Sequence, residues 1–259
     1  MSWAKVRIYY DSIPGTTGSL ITATSATSTD VVENIYKMLE VNKWKAANTT
    51  SPHYITVDLQ AGNPTKTADY LAILGHNLYS AGATVVLQYS TDNFAADIND
   101  AFTAEAVPAD SVYLKEFTQT ASKRYWRLKL TGHTVAPYMA ICIWGNRTEL
   151  DYASASFDPH AQEAKSTVNM SYGGYVTGMH TTHTERTLAL SFDDADTALY
   201  AKLKTWWETS GTQHFFVAWE RTNNAADVFF MRSDMRFENP LTNGGAYRNL
   251  TLNLTGRKE

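Results

Sequence analysis

The chain has 259 residues, 44% of them apolar and 19% charged, and a formal net charge of −4. That length allows two domains of ordinary size, each with its own core. The acidic balance gives no electrostatic reason to expect nucleic-acid binding, no run of about 18 apolar residues is present to span a membrane, and a single cysteine excludes an intrachain disulfide.

The opening WAKVRIYYDS reads as a strand with Val6 and Ile8 on one face. No apolar stretch follows its basic residues, so no secretory signal is expected. After the Pro14-Gly15 turn, a Ser/Thr-rich segment to Asp30 reads as an extended loop. Asp30 is the expected cap of a short helix from Val31 to Leu39, with Val32, Ile35, Tyr36 and Leu39 sharing a side. Three strands follow, YITVDL, ADYLAILG and ATVVLQYS, separated by the turn-rich AGNPTKT and HNLYSAG. In the first, Ile55, Val57 and Leu59 alternate with Tyr54, Thr56 and Asp58, the period of a half-buried strand. Residues Tyr70 to Leu74 are apolar on both faces, and the third run is strongly β-prone. The acidic, alanine-rich segment from Phe94 to Val112 has no clear period and reads as a loop or a helical turn on the rim. KRYWRLKLTG directs Trp126, Leu128 and Leu130 inward, and YMAICIWG reads as a central strand in which Cys142 is a buried small hydrophobe.

A polar segment between Gly145 and about Lys165, holding Pro159, marks the crossing to a second domain. TVNMSYGGYVTG is a strand broken by Gly173-Gly174, the sign of a bulge or a hairpin turn. ERTLALSF places Leu188, Leu190 and Phe192 on one face. A helix then runs from about Ala195 to Thr209, capped by Asp193 or Asp194, with Asp196 at its positive end and Ser210-Gly211 at its close. Its Leu199, Leu203 and Trp206 form a stripe that must cover a sheet. HFFVAWE, ADVFFMRSDMRF and YRNLTLNLTG add strands, and one helix on a small, closed or nearly closed barrel is the simplest account.

Two resemblances follow from these stretches. NIYKMLEVNKWKA, YITVDLQ and DYLAILGHNLYSAGATVVLQYSTD resemble the galactose-binding-like, discoidin-type jelly roll, in the version that tailed bacteriophages carry in tail-tip and baseplate proteins. Trp44, Asp58, Gly75, His76, Asn77, Leu78, Gly82, Ala83, Ser90 and Asp92 fit that pattern over roughly the first 145 residues. Gln60 departs from it where Gly is usual, and the Asp-Gly before Trp44 is missing. SYGGYV, RTLALSF, the helix ending WWETSG, FFVAW and RNLTLNLTGRKE resemble the tube-forming domains of phage tail proteins, the distal tail protein being the nearest type.

The resemblances imply a mainly β chain: a jelly-roll β-sandwich over residues 1–145, then a tail-tube-like β-barrel or sandwich with one helix over residues 146–259. They imply a virion protein of the tail tip, made in the host cytoplasm, that closes into a ring of copies and joins tube, hub or fibres. Sixfold symmetry comes from the resemblance alone. The alternative is a carbohydrate-binding adhesin that recognises host-surface glycans.

Trp44, His53 and Tyr54, near the loop end of a jelly roll, are the candidate glycan contacts, although Trp44 also fits a core position of the family pattern, and core is the favoured reading for it. Trp206 and Trp207 are the candidate subunit contacts, because adjacent helical residues cannot share a face. His180 and His183 have a metal-like spacing on a helix, but on a strand three residues send side chains to opposite faces. Asp193, Asp194 and Asp196 fall at a helix start, where capping is the simpler role. His76 is expected to hydrogen-bond neighbouring backbone in its turn. With no nucleophile elbow, phosphate loop, HExxH or CxxC, neither an enzyme, a metal nor a cofactor is expected.

Overall fold

The structure, a computed structural model, describes residues 3–154 and 156–258. It is mainly β, with one α-helix among those residues. The chain separates into two compact units, one from Tyr9 to Arg147 and the other joining the residues up to Ile8 with those from Thr148 onward. The expected boundary at residues 145/146 therefore differs mainly at the N-terminus. The strand Arg7–Tyr9 pairs with Thr148–Glu149, and the Arg7 guanidinium meets Glu149 Oε2 at 3.0 Å. Periodicity identifies WAKVRIYY as a strand but does not say which sheet receives it.

The Tyr9–Arg147 unit is a sandwich of two antiparallel sheets. One carries Leu20–Ala23, His53–Asp58, Tyr125–Thr131 and Thr84–Ser90 in that order, with two-residue strands added to the last. The other carries Trp44–Lys45, Tyr138–Gly145, Tyr70–His76 and Tyr113–Glu116. From His53 on, successive long strands alternate between the sheets, which is jelly-roll winding. Alternation drives the closure. Ile55, Leu128 and Leu87 lie opposite one another across three strands, and they face Leu71, Ile73 and Trp144 of the second sheet in a single core. Each such side chain contributes about 1.5–3 kcal/mol by leaving water.

Two local features tighten this unit. The carboxylate of Asp58 accepts from Arg124 Nε at 2.6 Å and Nη2 at 2.9 Å, and from the Gln60 amide at 2.8 Å. Gly145 passes so close to Asp11 that a Cβ there would lie 2.5 Å from the Asp11 carbonyl oxygen. The helix expected from Val31 to Leu39 is instead a single 3₁₀ turn, Val32–Tyr36. Asp30 does not cap it, because its carboxylate accepts from the Thr27 hydroxyl at 3.1 Å. Met38, at φ 57°, takes the chain out of any continued helix.

The second unit is one eight-stranded sheet with the helix Thr197–Ser210. Its main path runs from Thr148–Glu149 through Arg7–Tyr9, Phe215–Ala218, Val228–Ser233, Tyr247–Arg257 and Val176–Ala195 to Gln162–Met170. Both ends are unpaired among the described residues, so this ladder is open rather than closed on itself. Leu199, Leu203 and Trp206 form the buried stripe of the helix, and the Trp206 ring meets Phe215 edge-on at 5.0 Å. The cap is Asp196, whose Oδ1 accepts from the Leu199 amide at 2.7 Å, so the expected Asp193 or Asp194 is displaced. Both of those residues belong to the preceding strand. Gly211 ends the helix at an ordinary φ of −61°, and small size is what matters there: a Cβ would lie 2.5 Å from Trp207 Cε3.

Candidate functional site

The most unusual surface lies on the hairpin formed by Gln162–Met170 and Val176–Ala195. Gly173-Gly174 makes its turn, with the Gly174 amide donating to Ser171 O and Gly174 at φ 80°. Of the two alternatives the glycine pair left open, the hairpin turn is the one found. The proximal part, Glu185 to Ala195, pairs on its other side with Tyr247–Arg257. Beyond Thr184 the ribbon consists of its own two strands, an arm on the order of 20 Å long before the turn.

The register sorts the arm into two faces. Ala164, Ser166, Val168 and Met170 lie opposite Thr184, Thr181, Met179 and Val176 on one side. A 2.8 Å contact between the Ser166 and Thr181 hydroxyls confirms the pairing. Glu163, Lys165, Thr167 and Asn169 share the other side with Glu185, His183, His180 and Gly178. On that side Lys165 Nζ bridges Glu163 at 2.7 Å and Glu185 at 3.3 Å.

Strand alternation carries the apolar side of the arm straight into the core face of the sheet. Thr184 is in phase with Leu188, Leu190 and Phe192, which lie opposite Leu254, Leu252 and Leu250 and are all buried. Arg186, its guanidinium 3.9 Å from the centre of the Phe229 ring, marks where the covered part ends. Past it, Val168, Met170, Val176 and Met179 are 49–71% exposed, and Tyr172 and Tyr175 at the turn are also exposed. A two-stranded ribbon is marginal in water on its own, and Gln162–Met170 also presents an open edge, the usual template for strand addition.

Sequence periodicity alone does not reveal this face, because bulges shift the register along the arm. Val168, Met170, Val176 and Met179 are visible in TVNMSYGGYVTGM, but only the register shows them on one side with nothing over them.

The candidate glycan contacts fall elsewhere and are not presented together. Trp44 is fully buried in the sandwich, its Nε1 donating to Ser25 O at 3.0 Å. His53 is buried too, and its Nε2 donates to Asn48 O at 3.0 Å. Tyr54 alone is half-exposed, with the Arg127 guanidinium 4.5 Å from its ring centre. Neither Trp44 nor His53 offers a ring face to a ligand, because alternation turns both toward the core.

Of the candidate subunit contacts, Trp206 is core, and Trp207 is half-buried with one ring face stacked on Phe237 at 5.4 Å. His180 and His183 both lie on the polar face of the arm, because a bulge between Thr181 and His183 cancels the expected opposition. His183 Nε2 approaches Glu185 Oε1 at 3.4 Å. His76 accepts at Nδ1 from the Leu78 amide at 3.2 Å, the backbone role expected of it, and burial pushes its pKa down while Asp110 at 3.8 Å opposes the shift. Burial likewise pushes the Cys142 thiol far above its ordinary range.

Among known proteins, no family model matches the chain, and no curated protein sequence matches it. Among solved structures, it is similar to chitosan-binding module 1 of a chitosanase/glucanase from Paenibacillus sp. IK-5, with 15% identity, a TM-score of 0.42, and 52% of this chain and 98% of that one covered. It is also similar to a CBM32 module from Clostridium perfringens in complex with GalNAc-β-1,3-galactose, with 14% identity, a TM-score of 0.42, and coverage of 52% and 99%. A Ruminococcus gnavus GH29 fucosidase shares 12% identity at a TM-score of 0.45, over 55% of this chain and 28% of that one. The jelly-roll description of residues 9–147 rests on their own strand order.

Proposed function

We propose that the protein is a self-assembling structural component, in which the hairpin arm of one copy is covered by the sheet unit of another. The observation that carries this reading is the core face of the sheet running out, uncovered, onto the arm. Val168, Met170, Tyr172, Tyr175, Val176 and Met179 are all exposed along the arm and its turn, a contiguous apolar stretch of the kind that marks an interface. An arm that leaves its own subunit to dock on the next is a head-to-tail contact, which must close into a ring or grow into a filament. The finer reading is a ring at the tail tip of a bacteriophage virion, joining tube to hub or fibres. It is supported by the order of the two sequence resemblances, jelly roll first and tube-like domain second. The work assigned is binding and assembly, without a catalytic step.

A second reading is a glycan-binding role for the jelly roll. It is favoured by the half-exposed Tyr54 on the sandwich surface, and it agrees with the glycan ligands named for the modules above.

One experiment separates them: light scattering and negative-stain microscopy of the full chain over a concentration series. The assembly reading expects closed rings. Met170→Asp with Met179→Asp should shift the mass to single chains, since each side chain buries about 1.5–3 kcal/mol of apolar surface, and about 1.4 kcal/mol is tenfold in affinity. A wild-type chain that stays monomeric at its highest soluble concentration overturns that reading. If such a monomer also binds immobilised glycans and loses them on Tyr54→Ala, the second reading holds.

A further inference from the structure

At one end of the jelly roll two imidazoles stack face to face. His53 and His133 have ring centres 4.9 Å apart and planes 19° from parallel, and Trp44 meets His53 edge-on at 6.3 Å. Both histidines are at most 5% exposed. Their hydrogen bonding is unequal. His53 Nε2 donates to Asn48 O at 3.0 Å, which fixes that tautomer, and Nδ1 approaches Ser25 Oγ at 3.4 Å. Among the described residues neither nitrogen of His133 has a hydrogen-bond partner. A buried polar atom without a partner costs about 1–3 kcal/mol, and an unpaired buried charge costs more.

His133 belongs to the 132–137 loop, which joins Tyr125–Thr131 to Tyr138–Gly145. That loop is held by Thr134 N donating to Ala81 O at 2.8 Å and by Asn77 Nδ2 donating to Ala136 O at 3.2 Å. The elements around the pair bring no counter-charge to it. Lys45 flanks Trp44, and Lys129, on the strand that leads into the His133 loop, lies opposite Tyr54. Lys43 lies over the Tyr138 ring at the far end of the loop. Asp30, whose carbonyl accepts from the Lys45 amide, engages the Thr27 hydroxyl. His76 precedes the 77–83 turn, Asp110 accepts from the Tyr79 and Ser80 amides of that turn, and the two face each other at 3.8 Å. No carboxylate is hydrogen-bonded to either stacked ring among the described residues.

We propose that the His53–His133 stack is an acid-released catch, which holds the 132–137 loop against the end of the jelly roll near neutral pH and frees it when His133 takes a proton. In the closed state a proton on His133 has no acceptor and faces a second imidazole. In water it is fully solvated. His53 can remain, because both its nitrogens already have oxygen partners. Burial, and then His53, lower the pKa of His133 in the closed loop, which gives the direction: closure is favoured above the ordinary histidine value and is lost as the pH falls below it. The catch is independent of the assembly reading.

The test is hydrogen–deuterium exchange of the full chain between about pH 5 and pH 7.5, corrected for intrinsic exchange, following the peptide that contains residues 131–137. Opening of the wild-type loop should rise by up to about tenfold per pH unit below about 6.5. His133→Phe keeps an aromatic stack that cannot be protonated and should flatten that slope. His76→Asn should leave it in place. A flat wild-type profile, or an unchanged slope in His133→Phe, overturns the proposal. If that variant does not fold, proton NMR of the wild type decides: His133 titrating at or above about 6.5 with the loop still protected overturns it, and a value below, with exchange rising in parallel, supports it.

Discussion

Gln60 shows how one residue can be read in sequence and explained only in space. The jelly-roll pattern has Gly at that position, and the structure puts Gln60 at φ 65°, in the left-handed region. A side chain there costs roughly 1–2 kcal/mol. Part of that is offset by Gln60 Nε2 donating to Asp58 Oδ2 at 3.1 Å, whereas the backbone bond to Asp58 Oδ1 needs no side chain. Gln60→Gly is therefore expected to stabilise the jelly roll by about 0.5–1 kcal/mol, read as a higher urea midpoint by tryptophan fluorescence; a lower midpoint would show that the side-chain bond matters more. Trp44 and His53 illustrate the opposite limit. Residue type marks an aromatic as able to stack on a sugar, but only the position in the alternation says whether its ring faces water. Trp44 lies in a two-residue strand, too short for any period to show.

Among the elements, the helix was legible because its stripe, its polar start and its glycine close all agree. Its cap was not, since Asp193, Asp194 and Asp196 are chemically equivalent candidates. The strand Val176–Ala195 runs through the first two of them and leaves only Asp196 at the break. Asp196→Ala is expected to cost about 1 kcal/mol in thermal unfolding of the helix-bearing unit, while Asp193→Ala should be close to neutral. Equal effects from the two would reassign the cap. The hairpin shows the same division of labour. Its glycine pair signals a turn, but the bulge that sets His180 and His183 on one face leaves no mark in spacing. A one-residue irregularity reverses which face a side chain takes.

Across the whole molecule, charge and burial set how stability should respond to acid. Burial lowers the pKa of His76, against Asp110, and of His133, with His53 adding to the shift. A histidine depressed in the folded state contributes stability that is complete above about 6.5 and is lost as the pH falls through the folded value. Unfolding free energy is thus expected to fall below about pH 6.5, by up to ~1.4 kcal/mol per pH unit for each histidine. Asp58, held by Arg124 and the Gln60 amide, is also depressed. Glu220 is lowered to about 2 by four backbone amides, although burial opposes the shift. Both carboxylates stay charged through that window and lose their contribution only at lower pH. Calorimetry of the wild type against His76→Asn with His133→Phe checks this: stability that is level from about pH 5 to 7 in both would contradict it. The amino-acid order by itself determined that this chain is mainly β, where its long strands and its helix fall, and which strand faces are apolar, because periodicity is a local property. The tertiary structure alone decided which sheet takes the N-terminal strand, that Trp44 and His53 are enclosed, and that one apolar face runs past the end of its core. Those depend on pairing and register between residues far apart in the chain, and no local pattern encodes them.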